Sequence, residues 1–174
     1  DRRARRLAGG RIDQRAVERH IGGDHAQILR RAGRIARQHN PLGRLGQTTA
    51  ATTTRFVYSG DDLIAELNSS NVIVRRYVPG PEADQPLVWY EGSGISDRRF
   101  LLADERGSVV AVTNASGVAT TNNTYDEYGI PAASNLGRFQ YTGQVWIPEL
   151  GLYHYKARAY SPTLGRFFQT DPIG

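Results

Sequence analysis

From residue 56 onward apolar residues come in short runs, and each run ends at a cluster of Gly, Pro, Asn, Asp or Ser. Phe56-Val57-Tyr58 is followed by Ser59-Gly60-Asp61-Asp62, Leu63 to Leu67 by Asn68-Ser69-Ser70-Asn71, and Val72 to Val78 by Pro79-Gly80-Pro81. Leu87 to Tyr90 gives way to a Gly/Ser-rich stretch from Glu91 to Asp97. Arg99 to Ala103 runs into Asp104-Glu105-Arg106-Gly107, Ser108 to Thr113 into Asn114-Ala115-Ser116-Gly117, and Val118 to Thr124 into Tyr125-Asp126-Glu127-Tyr128-Gly129. Runs this short, bounded in this way, predict β-strands joined by hairpin turns. Residues 152–160 alternate with a two-residue period: Tyr153, Tyr155, Ala157 and Ala159 share one face, and His154, Lys156 and Arg158 the other. That pattern predicts one strand, then a turn at Ser161 to Gly165, a short strand over Arg166 to Gln169, and a last turn at Asp171-Pro172-Ile173-Gly174.

One such hairpin cannot bury its own apolar face. Stacking hairpins edge to edge buries a continuous surface and pairs the backbone edges. The turn-preceding positions Tyr58, Tyr77, Leu102, Tyr125 and Tyr160 recur at intervals of roughly 20 to 35 residues, within the range of repeat architectures. Tyrosine suits this plan, with a broad apolar ring and a hydroxyl that can find a partner. In Tyr-Asp-x-x-Gly the Asp can accept backbone N–H bonds two residues on, and the Gly relieves a positive φ. The expected fold is all-β, built of stacked antiparallel hairpins.

Residues 1–39 break the pattern. They hold no Phe, Trp or Tyr and are rich in Arg, Ala and Gly. Ile28, Leu29, Ala32, Ile35 and Ala36 fall on one helical stripe behind a capping candidate, Asp24. Two readings stay open: a basic amphipathic arm for a partner, a membrane surface or nucleic acid, or a segment that is disordered or is not native shell sequence. Charge divides at the same point. Residues 1–39 carry 11 Arg and 4 acidic residues, so the rest of the chain is slightly acidic although the whole is +5. A field confined to one end is weak support for a specific nucleic-acid footprint. There is no cysteine, which excludes disulfides and thiolate chemistry, and no run reaches the length of a membrane span.

Five blocks of residues 40–174 carry a resemblance: Tyr141-Thr142-Gly143-Gln144, Glu149-Leu150-Gly151-Leu152-Tyr153, Ala157-Arg158-Ala159-Tyr160-Ser161-Pro162, Leu164-Gly165-Arg166-Phe167 and Asp171-Pro172-Ile173-Gly174. In order and spacing they resemble the Rhs repeat-associated core, which closes the tyrosine-aspartate (YD) repeat shells of Rhs and Tc-type toxins and teneurin-like proteins. Pro41-Leu42-Gly43-Arg44-Leu45 resembles the close of a YD repeat, although His39-Asn40 stands where the family has Tyr-Asp. The resemblance implies a chain of two parts, 1–39 and 40–174, the second a portion of a curved β-shell that encapsulates or presents a C-terminal toxin segment in bacterial competition or host attack. It implies, as partners, that toxin segment, the upstream shell repeats, and secretion-apparatus or Tc-type proteins. It also implies a secreted or cell-envelope location.

The same resemblance implies an aspartyl self-cleaving site, carried onto Asp171 and Arg158. Such a site pairs one carboxylate as base with a second as acid, and a nearby arginine decides which stays charged. The family's second carboxylate block lies beyond residue 174, so this chain is expected to hold an incomplete site and to be no enzyme by itself. No cofactor or metal is expected: His20, His25, His39 and His154 lack ligand spacing, and His154 reads as a strand-surface residue. Trp89 and Trp146 are a candidate sugar-stacking platform, which would make carbohydrate a partner; the alternative is that both pack the shell.

Overall fold

The computed structural model describes residues 36–39, 44–49 and 51–170, and within them regular structure is almost entirely β. The first nine strands are β1 (Ala36–His39), β2 (Leu45–Thr49), β3 (Thr53–Ser59), β4 (Asp62–Leu67), β5 (Ile73–Pro79), β6 (Pro86–Glu91), β7 (Arg98–Ala103), β8 (Val109–Thr113) and β9 (Ala119–Asn122). They form one antiparallel sheet in which every strand lies beside its neighbours in sequence. A second, four-stranded antiparallel sheet follows: β10 (Val145–Ile147), β11 (Leu152–Tyr155), β12 (Arg158–Ser161) and β13 (Arg166–Phe167). The all-β, stacked-hairpin expectation holds.

The turns explain why the hairpins stack in register. Asn68, Asp104, Asn114 and Asp126 each accept two backbone N–H bonds through Oδ1, from the second and fourth residues beyond them, at 2.7–3.0 Å. The third residue beyond each takes a positive φ: Asn71, Gly107, Gly117 and Gly129. A turn ending in a left-handed residue adds one residue to the returning strand, and bulges sit beside the first three of these turns. The Tyr-Asp-x-x-Gly signature is therefore one instance of a turn used four times.

One face of the large sheet is the core face. Phe56, Glu66, Arg75 and Glu91 stand opposite one another across β3 to β6, and Tyr77, Trp89 and Arg99 form the next row. The second sheet and the chain leading to it cover this face, so Phe56, Tyr77, Trp89, Leu101 and Val112 share one core with Phe139, Val145, Ile147, Leu150 and Leu152. The ring of Tyr77 meets that of Phe139 edge-on at 4.9 Å.

Two expectations are corrected. Residues 152–160 are not one strand but a hairpin, β11 and β12, reversing at Lys156-Ala157, where Lys156 takes φ 50°. In a continuous strand Tyr155 and Tyr160 would lie about 16 Å apart; here their rings are 5.7 Å apart, and both contact Phe167. Gathering three aromatic rings outweighs continuing the strand, and the two-residue reversal pairs Tyr155 with Arg158, so beyond it the faces exchange: Arg158 and Tyr160 join Tyr153 and Tyr155, and Ala159 joins His154. The second correction is to the helical stripe, which the sequence ran to Ala36: Ala36 to His39 pair with β2 as β1. Ladder pairing uses backbone groups alone, so apolar patterning did not signal it. Residues 1–35, with the capping candidate Asp24, lie outside the described residues.

Candidate functional site

The chemistry of the molecule gathers at the seam between the two sheets. The loop after Tyr125 reaches it first. Tyr125 donates its hydroxyl to the Val109 carbonyl at 2.7 Å, tying the loop to β8. Three consecutive carbonyls of the loop then accept tyrosine hydroxyls from later in the chain: Glu127 from Tyr141 (3.4 Å), Tyr128 from Tyr160 (3.0 Å) and Gly129 from Tyr153 (2.8 Å). Gly129 is required twice over, by its φ of 91° and because a Cβ there would strike the Tyr141 ring. Burial pushes the hydroxyls of Tyr125, Tyr153, Tyr155 and Tyr160 above the ordinary phenol range, so they stay protonated and serve as donors.

The Tyr141-Thr142-Gly143-Gln144 block makes the next joint. Thr142 donates its N–H to Ser108 Oγ (3.0 Å) and shares a 2.6 Å hydroxyl bond with Tyr155. A side chain at Gly143 would collide with the Asp84 carbonyl, so glycine is what lets the wall loop approach.

Deeper in the seam lies Glu66, fully buried. Arg138 grips it with two N–H bonds, 3.0 and 2.8 Å, Tyr77 donates its hydroxyl at 2.5 Å, and Arg75 adds a 3.3 Å contact. Arg138 also donates to the Trp146 carbonyl at 3.1 Å, and Arg75 bonds Glu91 at 3.0 Å. Burial alone would raise the Glu66 carboxyl; the Arg138 fork, the Tyr77 hydroxyl and the Arg75 charge overcome it and hold the group below the usual carboxylate range. Tyr77 is pushed up by burial and by the Glu66 charge. Sequence reading passed over both partners. A carboxylate at an inward position inside Leu63 to Leu67 was the available signal; its partner, 72 residues on, had none.

His154 is also corrected. It is 7% exposed, not on a surface, and its Nε2 accepts the N–H of Leu45 at 3.2 Å. The hairpin reversal brings this about: His154 faces the wall from β11, whereas Lys156 is in the turn. Arg158 lies on β12 with its guanidinium 4.0 Å from the centre of the Phe167 ring. Asp171, the other sequence-named site residue, lies outside the described residues. Trp89 is buried in the core, under the guanidinium of Arg99 at 4.3 Å, and packs the shell. Trp146 is half-buried against Tyr153 at 4.7 Å. Both border a cleft of about 630 Å³ together with Arg75, Glu91 and Arg138. Among the described residues no group of three or more His, Asp or Glu could hold a metal, and no helix is long and apolar enough to cross a membrane.

No family model matches the chain. Among curated proteins it is 28% identical over 137 residues to the tRNA3(Ser)-specific nuclease WapA of Bacillus spizizenii, a match covering 74% of this chain and 6% of that protein. It is 28% identical over 162 residues to double-stranded DNA deaminase toxin A of Burkholderia cenocepacia, covering 81% of this chain and 11% of that one. Among solved structures it resembles the crystal structure of TcdB2-TccC3-TEV, with a TM-score of 0.59 at 21% identity, covering 80% of this chain and 8% of that chain. The chain thus spans a small part of each relative, and it shares its fold with a stretch of the toxin complex.

Proposed function

We propose that this chain is a stretch of the wall of a YD-repeat β-shell of the Rhs and Tc-toxin kind, which encloses or presents a C-terminal toxin segment in bacterial competition or host attack. The observation that supports it most is topological. Nine strands pair only with their sequence neighbours, and the chain then turns back to lay a tyrosine-bearing sheet on the wall's core face. Such a wall extends by adding hairpins. The similarity in fold to TcdB2-TccC3, and in sequence to large nuclease and deaminase toxins, supports the same reading. In this reading the shell is exported, and its partners are the upstream repeats, the toxin segment and proteins of the Tc type or of a secretion apparatus.

The test is protease protection in a longer chain that carries the upstream repeats and the downstream segment. An intact shell leaves the segment resistant to trypsin until the wall is unfolded. Digestion of the segment at the same rate with the wall intact overturns enclosure.

A second reading, that Asp171 and Arg158 are part of a self-cleaving aspartyl site, is supported by the course of the last described residues. Phe168 donates its N–H to the Ala159 carbonyl (2.9 Å), and Gln169 Oε1 accepts the N–H of Ala159 (2.8 Å). The chain two residues before Asp171 is thereby held beside the neighbour of Arg158. In the longer chain, Asp171→Asn abolishing self-cleavage with the fold unchanged supports the reading; cleavage at the parent rate overturns it.

A further inference from the structure

The second sheet covers one face of the large sheet, and the opposite face stays open. Side chains alternate across a strand, so the row beside Phe56, Glu66, Arg75 and Glu91 falls on the open face. In that row Val57, Ala65, Arg76, Tyr90 and Arg98 stand opposite one another from β3 to β7. The next row on the same face pairs Val78, Val88 and Phe100. Its apolar groups meet water: Val57, Val78 and Leu102 are 36%, 43% and 50% exposed.

The arginines of the two faces differ. On the core face Arg75, Arg99 and Arg138 each hold a carboxylate. On the open face Arg55, Arg76 and Arg98 form no ion pair among the described residues. Their partners are neutral: Arg55 bonds Gln47 and Asn71, Arg76 donates to the carbonyls of Ser93 and Gly94, and Arg98 lies 5.2 Å from the centre of the Phe100 ring. Arg76 also stands 5.6 Å from the Tyr90 ring. The open face is therefore positive, with its charges set among exposed apolar and aromatic side chains.

We propose that this face docks a partner protein through a segment that mixes carboxylates with apolar or aromatic side chains. Carboxylates supply the charge that Arg76 and Arg98 lack, in a geometry the guanidinium fork accepts. Apolar groups between them cover Val78, Val88 and Phe100, and arginine with aromatic rings is the composition that anchors protein interfaces. The geometry favours a protein over a lipid surface. In a bilayer the charged layer lies above the apolar one, whereas here arginines and apolar side chains share one sheet face. Docking on this face does not depend on what the wall encloses.

The test titrates the 174-residue chain with a short synthetic peptide alternating glutamate with leucine and tyrosine, followed by amide chemical shifts. The amides of Arg76, Tyr90 and Phe100 are expected to move, and a counterpart peptide with lysine for glutamate to leave them in place. The double variant Arg76→Gln, Arg98→Gln keeps side-chain length without charge and should weaken binding about tenfold. Shifts confined to the arginine-rich residues 1–39, unmoved amides at Arg76, Tyr90 and Phe100, or undiminished binding by the double variant overturns the proposal. Phosphatidylserine vesicles that perturb these amides when the acidic peptide does not also overturn it, in favour of a lipid surface. Should the double variant not fold, the shift map of the parent with the two peptides decides.

Discussion

Arg138 holds Glu66 in a two-bond fork, 3.0 and 2.8 Å, with the carboxylate fully buried and the two residues on opposite sides of the seam. The pair sets the separation of the large sheet from the chain that leads into the small one. Removing one partner strands the other's charge. Arg138→Met is expected to cost about 3–5 kcal/mol at pH 7 in urea unfolding. The double variant Arg138→Met, Glu66→Leu should recover most of that loss, and no recovery would show that packing, not charge, sets the cost.

The same pair fixes a pH dependence. Glu66 has its carboxyl lowered in the folded chain, so its contribution is full above the unfolded carboxylate value of about 4.3 and is lost as pH falls through the lowered folded value. Without Arg138, burial is the largest remaining influence and raises the carboxyl, so acid relieves the variant. The stability gap between parent and Arg138→Met should narrow between pH 7 and pH 4. A gap that stays constant over this range contradicts the assignment.

Gly129 and Gly117 separate backbone strain from collision. Both have positive φ, 91° and 79°, but a Cβ at Gly117 meets nothing within 4 Å, whereas one at Gly129 strikes Tyr141. Gly117→Ala is expected to cost about 1 kcal/mol from conformation alone. Gly129→Ala should cost roughly 1–3 kcal/mol more. Thermal or urea unfolding of the two variants measures the difference, and equal costs would show that the loop moves freely away from Tyr141.

Tyr153→Phe keeps the ring and removes the hydroxyl that donates to Gly129, leaving a buried carbonyl short of a partner. The expected cost is about 1–3 kcal/mol. Tyr160→Phe, whose hydroxyl bond to Tyr128 is exposed, should cost less. The reverse order would mean that the Gly129 carbonyl is satisfied otherwise.

Self-association of a piece of wall is governed by its edges. At β9, Asn123 and Thr124 exchange hydrogen bonds with Asn135 and Leu136, so a loop shields this side in place of a strand. Asn123→Ala should therefore raise the tendency to associate, read as a rise in mass by light scattering at micromolar concentration. An unchanged mass distribution would show that this loop is not what protects the edge.

The strands from β3 to β9 were legible because their signals are local. A short apolar run ended by Asn-Ser-Ser-Asn, Asp-Glu-Arg-Gly or Asn-Ala-Ser-Gly needs no distant partner to become a hairpin, and the Asp126 turn carries the bonds its spacing requires. The hairpin inside 152–160 was not legible. The sequence alternates straight through the turn, and only the meeting of Tyr155 and Tyr160 with Phe167 decides that the chain reverses there. Arg158 was placed by family resemblance; the structure adds its stacking on Phe167.

What the amino-acid order alone determined is the stacked-hairpin wall and its turn chemistry, because each turn closes on its own five residues. What only the tertiary structure decided is the seam: Glu66 with Arg138, Tyr153 with Gly129, His154 with Leu45. Each of those pairs is formed by groups far apart in the chain. Burial is what converts an unremarkable carboxylate, phenol or imidazole into a strong and specific contact, and burial exists only once the second sheet has closed on the first.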